Sequence, residues 1–268
     1  MGPMRIVQLW RYPLKSARGE ALTSARVETT GLAGDRVWAC VDPSDGTVVS
    51  AKHPRRWGRL LEVGASLGHD DRLTVHVGGE ALPAEHAEDA LGAHLGRPVR
   101  LTREVPQEAT LHRTLPGEPD LVPEWMAGIG AGRDAVTAVG GGGAGGFVDF
   151  APVHVVTTGE VARLGAKAGV EVAASRFRPN LVIDADHDWP EGGELRAGDV
   201  VLRTMLPTPR CAVPGLDHGP GVPADPAVLR TLARHYRIPV GDLGKAACFG
   251  RYAEVVEPGE LRVGAEVS

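Results

Sequence analysis

The chain has 268 residues, a formal net charge of −5, 43% hydrophobic and 24% charged residues, enough for one large domain or two small ones. An acidic balance excludes nucleic acid and anionic membrane surfaces as natural partners, because phosphate attraction needs a net positive face. No run of about 18 apolar residues is present and the N-terminus lacks the pattern of a secretory signal, so the cytoplasm is the expected location.

In chain order, segments 4–10, 21–29, 35–42 and 46–51 read as short strands, with Asp42-Pro-Ser-Asp-Gly46 as a hairpin turn between the last two. Strands are expected near 58–67 and 71–78. A helix follows at 83–95, opened by Pro83 and carrying Ala87, Ala90, Leu91 and Leu95 on one face. A strand at 98–103 closes a mostly β first hundred residues. Residues 104–146 carry little pattern and read as a connection. Their glycine run, 139–146, lacks the G-x-x-x-x-G-K-[ST] form of a phosphate loop and reads as a flexible link.

Regular patterning returns at 147–156, a strand. Thr158 is placed to cap a helix running past Leu164 to Ala168, with Glu160 near its positive end. Strands are expected at 181–184 and from Val200 to Thr204, the second leading into a proline-rich loop, Leu206-Pro-Thr-Pro-Arg-Cys-Ala-Val-Pro214. A helix at 225–237 and strands near 251–256 and 260–267 complete the chain. Many short strands with few helices predict an α+β protein in which β structure predominates. The organisation expected is an N-terminal β-rich module (1–103), a linking segment (104–146) and a C-terminal core (147–268).

There are three cysteines, 40, 211 and 248, with no C-x-x-C spacing, which argues against disulfides and zinc sites. Cys40 and Cys248 lie in apolar runs and read as buried core residues. Cys211 differs, because prolines stiffen its segment and Arg210 precedes it. An adjacent cation favours the thiolate, the metal-binding form of the side chain.

Six further pieces fall in a recognisable order: Tyr12-Pro-Leu-Lys-Ser16, Gly34-Asp-Arg-Val-Trp38, Phe147-Val-Asp-Phe-Ala-Pro-Val-His154, Arg176-Phe-Arg-Pro-Asn180, Pro209-Arg-Cys211 and Phe249-Gly250. Together they resemble the MOSC family, named for the C-terminal domain of molybdenum-cofactor sulfurases, and most of all its amidoxime-reducing branch. The resemblance implies a β-barrel MOSC domain packed with a smaller N-terminal β-rich module. It implies a molybdenum cofactor (Mo-molybdopterin) contacted by Lys15, Ser16, Arg36, Arg178, Asn180 and Arg210, with Cys211 as the metal's protein ligand and catalytic centre. It also implies reduction of small N-hydroxylated substrates by N–O cleavage, with electrons from a separate donor of the ferredoxin, flavodoxin or flavin reductase type. Two alternatives stay open: a cofactor carrier or storage protein without turnover, and a sulfur carrier through a Cys211 persulfide, which would need a pyridoxal-phosphate partner domain.

The same residues also have plainer readings. Lys15 and Ser16 could be turn residues after Pro13, Arg36 half of a surface ion pair with Asp35, and Asn180 a turn cap. Arg176 and Arg178 flank Phe177, so an extended backbone would put both on one face, solvated or facing an anion. His154 reads as a satisfied core histidine, and Asp149 is given no role. The eukaryotic relatives carry serine where this chain has Pro209, so a hydroxyl beside the metal is expected to be lost, with Thr208 as a possible substitute in a different register.

Overall fold

The computed structural model describes residues 3–68, 70–139 and 146–268. Most of the glycine run lies outside the described residues. The protein is α+β with strands predominating, as the sequence predicts.

One large sheet organises the molecule. Its strand order is Glu194–Ala197, Val200–Pro209, Lys245–Glu257, Val153–Thr157, Leu181–Asp184, Met4–Arg11, Glu266–Val267. Arg237–Pro239 adds to the Lys245–Glu257 strand and Glu20–Leu22 to Met4–Arg11. The pair Val153–Thr157 and Leu181–Asp184 is parallel. Parallel neighbours need a long crossover, and the helix Thr158–Ala168 supplies it. The helix cap is Thr157 rather than Thr158: its hydroxyl accepts from the Glu160 amide at 3.2 Å and the Glu160 carboxylate reaches back, a full capping box. The helix Pro226–His235 starts from an Asp225 cap with proline in its first turn.

Strand alternation decides which side chains meet. Val153, Val155, Leu181 and Ile183 point to one core with Ile6, Leu9, Val27 and Leu202. Val156 and Val182 point the other way, to a second core with Leu164, Phe177, Val228, Leu232 and Phe249 beneath the two helices. A third core is built from N-terminal residues alone, among them Leu14, Cys40, Trp57, Leu60, Val75 and Leu91. The first strand belongs to the large sheet, and Ser24–Glu28 pairs with Gly259–Arg262, so chain ends far apart in sequence interlock.

Several expected elements differ. Segment 21–29 breaks into Glu20–Leu22 and Ser24–Glu28, and 260–267 into Gly259–Arg262 and Glu266–Val267. Of 35–42, Ala39–Val41 alone is a strand, because 33–36 make a turn. The Asp42–Gly46 turn forms, with the Gly46 amide on Asp42 O at 2.9 Å, but its second arm makes one bridge, Val41 to Val48. Residues 54–62 are helical, with Pro54 in the first turn, and the strand begins at Gly64. The stretch read as a connection holds the antiparallel pair Thr110–Thr114 and Asp134–Ala138. The strand expected to end at Thr204 runs on to Pro209, tolerating its prolines at two register irregularities against Lys245–Glu257.

Candidate functional site

Long-range zipping creates the site. The Arg36 amide donates to Tyr12 O at 2.8 Å, Trp38 N to Pro13 O at 2.9 Å, and Lys15 N to Trp38 O at 2.8 Å. Those bonds bring Lys15 and Ser16 beside Arg36. Phe147 N then bonds Arg36 O at 2.8 Å, adding the 147–150 segment. Arg178 ends the short helix Ala174–Phe177, and Cys211 stands just past the strand Val200–Pro209, where Arg210 N still bonds Ala247 O at 2.8 Å. All seven residues singled out from sequence (Lys15, Ser16, Arg36, Arg178, Asn180, Arg210 and Cys211) line one cavity.

Three of them share a backbone peculiarity. Among the described residues five non-glycine positions have positive φ, and three are Ser16 (64°), Arg36 (52°) and Arg178 (54°). Side chains with a Cβ rarely adopt this conformation unless the surroundings enforce it, and such residues gather at functional sites. Arg36 therefore sits on a turn, not on the strand its neighbours suggested. Arg178 leaves the backbone in a left-handed cap, so it does not share a face with Arg176 in an extended segment. Arg176 is turned away: its guanidinium donates to Pro214 O and Leu216 O at 3.3 Å and to Pro223 O at 2.6 Å.

The electrostatics are local and one-sided. Among the described residues, six cationic side chains line the cavity (Lys15, Arg36, Lys52, Arg113, Arg178 and Arg210) against one carboxylate, Asp149. Lys15 is buried, and burial, opposed by Asp149, brings its pKa down to about 8. Its ammonium donates to Phe147 O and Asp149 Oδ1, each at 2.7 Å. Burial alone would raise the Asp149 carboxyl, but Lys15 and Lys52 outweigh it and hold the acid well below its usual range. Asp149 still keeps 41% of its side-chain surface accessible, bordering the cavity.

Tyr12 braces the two arginines. The Arg178 guanidinium carbon lies 4.3 Å from the Tyr12 ring centroid and that of Arg36 5.0 Å away. Arg36 also pairs with Asp35 and donates to Arg178 O at 3.3 Å, while Arg178 donates to Ala17 O. Burial and the nearby Arg36 charge lower the Arg178 pKa to about 10, which leaves it charged at neutral pH.

Asn180 is fully buried and occupied by backbone: its side-chain oxygen accepts from His154 N at 3.1 Å and its amide donates to Trp10 O at 3.3 Å. It pins two strands at the cavity wall. His154 is buried and neutral, because burial and the charges of Arg210 and Arg36 push its pKa well below the ordinary value. Cys211 is half-buried, packed beside Ala51, Leu61 and Val213, whereas Cys40 and Cys248 are buried as the sequence predicts. Lys52 and Arg113, which sequence reading passed over, complete the cationic lining, and Asp149 proves central to it. The signal for Lys52 was faint: one charge between the buried Ala51 and a proline-led helix.

Comparison with known proteins matches the chain to one family. The MOSC domain model covers residues 143–268 and the model for the MOSC N-terminal beta barrel domain covers residues 3–122. Mitochondrial amidoxime-reducing component 1 of Homo sapiens is 24% identical over 284 residues, covering 97% of this chain and 81% of that protein. Its counterpart in Mus musculus is 25% identical over 290 residues, with 97% and 80% covered. Mitochondrial amidoxime reducing component 2 of Rattus norvegicus is 31% identical over a shorter 124 residues, 44% of this chain and 36% of that protein.

Proposed function

Because the chain belongs to the MOSC family, we propose that it is a molybdenum-cofactor oxidoreductase that cleaves N–O bonds in small N-hydroxylated compounds, drawing electrons from a separate protein. The observation that carries this reading is the cavity: a half-buried thiol surrounded by six cations and one carboxylate, in a protein whose net charge is −5. Such a lining suits a compact polyanion bearing a soft metal.

The residues present fit that group. Among the described residues no group of three or more His, Cys, Asp or Glu side chains could hold a metal ion. A metal here would arrive with ligands of its own, and Cys211 would add one sulfur. Arg36 and Arg178 offer planar forks for phosphate or pterin oxygens, Lys15 and Lys52 point charges, and Ser16 a hydroxyl. When bound, the cofactor supplies the two-electron chemistry that splits the N–O bond.

The chain's own contribution is to hold and shape. Tyr12 stiffens the two guanidiniums against each other's repulsion. Asp149 keeps Lys15 charged at neutral pH despite its burial. Left-handed backbone at Ser16, Arg36 and Arg178 fixes these groups before anything binds, so little ordering is left to oppose binding. Among the described residues no helix is long and apolar enough to cross a membrane.

The test is elemental analysis for molybdenum together with fluorescence of oxidised pterin, on protein from a host that makes the cofactor, for wild type and Cys211→Ala. Wild type should carry both and, with a reduced donor, convert benzamidoxime to benzamidine; Cys211→Ala should lose activity and most of the metal. Metal and pterin without turnover would instead mark a carrier. Sulfane sulfur on Cys211 with no metal would mark a sulfur-transfer protein.

A further inference from the structure

A buried hydroxyl normally rotates until it finds a partner. Thr208 has not. Its side chain is 2% exposed, and its Oγ1 makes no hydrogen bond. Among the described residues seven buried side-chain nitrogen or oxygen atoms lack partners; Thr208 Oγ1 is the one hydroxyl. Two of the seven, Thr208 Oγ1 and Arg210 Nε, belong to residues lining the cavity. They flank Pro209, the last residue of the strand Val200–Pro209, and both residues border the cavity. Pro209 itself brings neither an N–H nor a side-chain donor. The Arg210 guanidinium is held in place from its far end, where Nη2 donates to Phe177 O at 2.9 Å.

Resting on the cofactor reading above, we infer that Thr208 is a cofactor-binding residue: its hydroxyl, together with Arg210 Nε, donates to the bound anionic cofactor immediately beside Cys211. The protein leaves these two donors unsatisfied within its own fold, and a bound polyanion satisfies both. Thr208 thereby supplies the hydroxyl that Pro209 cannot, one residue earlier in the chain.

The signature of a donor reserved for a ligand is opposite effects in empty and loaded protein. Thr208→Val keeps the shape and removes the hydroxyl; Thr208→Ser keeps the hydroxyl. Each is produced in a host lacking the cofactor, for thermal melting, and in a cofactor-making host, for molybdenum and pterin content after matched dialysis. Cofactor-free Thr208→Val should melt no lower than wild type, since no internal bond is lost. Loaded Thr208→Val should bind the cofactor about tenfold more weakly, as expected for one lost hydrogen bond to a charged group. Thr208→Ser should retain it as wild type does. Wild-type retention in Thr208→Val overturns the inference, as does a cofactor-free Val variant that melts several degrees lower, because the hydroxyl then serves the fold. Unchanged retention with a raised KM also overturns it and assigns the hydroxyl to substrate. A wild type that takes up neither metal nor pterin overturns the cofactor reading, and this inference with it.

Discussion

The Lys15 ammonium reaches Asp149 Oδ1 at 2.7 Å while Lys52 reaches the other carboxylate oxygen at 2.9 Å, so one acid holds two buried-side cations at the cavity wall. The charge on Lys15 is conditional on that acid. Burial lowers its pKa to about 8, and Asp149 is the largest influence in the other direction. An anion entering the cavity favours the protonated amine, so binding raises this pKa. Anion affinity should therefore be level below about pH 8 and fall by up to about tenfold per pH unit above it. Asp149→Asn removes the stabilising charge, and the decline should start at lower pH. Sulfate, whose charge is constant across this range, is a suitable probe by titration calorimetry. An affinity that is flat to about pH 10 in both proteins would contradict the assignment.

Cys211 should be the reactive thiol of the native protein. Cys40 and Cys248 are buried, and burial pushes each thiol up to about 12, so neither ionises near neutrality. Cys211 is half-buried on the cavity wall. A chromogenic disulfide reagent should titrate one thiol in folded, cofactor-free protein and three after denaturation. Cys211→Ala should leave none in the folded state. Prompt labelling of that variant would mean that a buried cysteine is transiently exposed.

What the sequence could and could not reveal follows from distance along the chain. Lys15, Arg36, Arg178 and Cys211 were legible because each sits in a short local pattern. Their meeting was not: Arg36 and Arg178 touch across 142 positions, through bonds that depend on a completed sheet. Lys52 and Arg113 stand in segments whose roles are set by distant partners, so the sequence marks Lys52 faintly and Arg113 not at all. Residues 58–62, expected within a strand, are helical instead: Pro54 is pre-set for the first turn of a helical stretch that runs on through the buried pair Leu60-Leu61. Thr110–Thr114 and Asp134–Ala138 pair across a long irregular stretch, and no turn signal announces such a pairing.

Gly250 shows why a motif glycine can matter without touching a ligand. Its φ is +71°, and an added Cβ would lie 2.6 Å from His154 Nε2 and 2.7 Å from Val155 O. Gly46 has nearly the same φ, +73°, but nothing within 4 Å of the same position. The two substitutions to alanine separate backbone strain from collision. Gly46→Ala should cost about 1 kcal/mol, from the left-handed conformation alone. Gly250→Ala should cost about 3 kcal/mol or more, since buried backbone must also move. Urea denaturation measures both, and equal costs would show that the His154 wall yields freely.

Arg176 should govern the segment that follows Cys211. It is 4% exposed and, among the described residues, has no carboxylate within ion-pair distance; instead it gathers the carbonyls of Pro214, Leu216 and Pro223 onto one guanidinium. Those carbonyls belong to the turn that carries the chain away from the thiol and back to the Asp225 helix cap. Arg176→Met removes all three bonds and should destabilise the protein by about 2–4 kcal/mol, less than three charged bonds suggest because a buried charge is also removed. Arg176→Lys keeps the charge but not the planar fork, and a single ammonium cannot span three carbonyls as the guanidinium does, so rescue should be partial. Freed from this anchor, the 212–223 segment should move and Cys211 should label faster in Arg176→Met than in wild type under conditions where both are folded. A Met variant with wild-type stability and labelling rate would show that the turn holds its shape without the guanidinium.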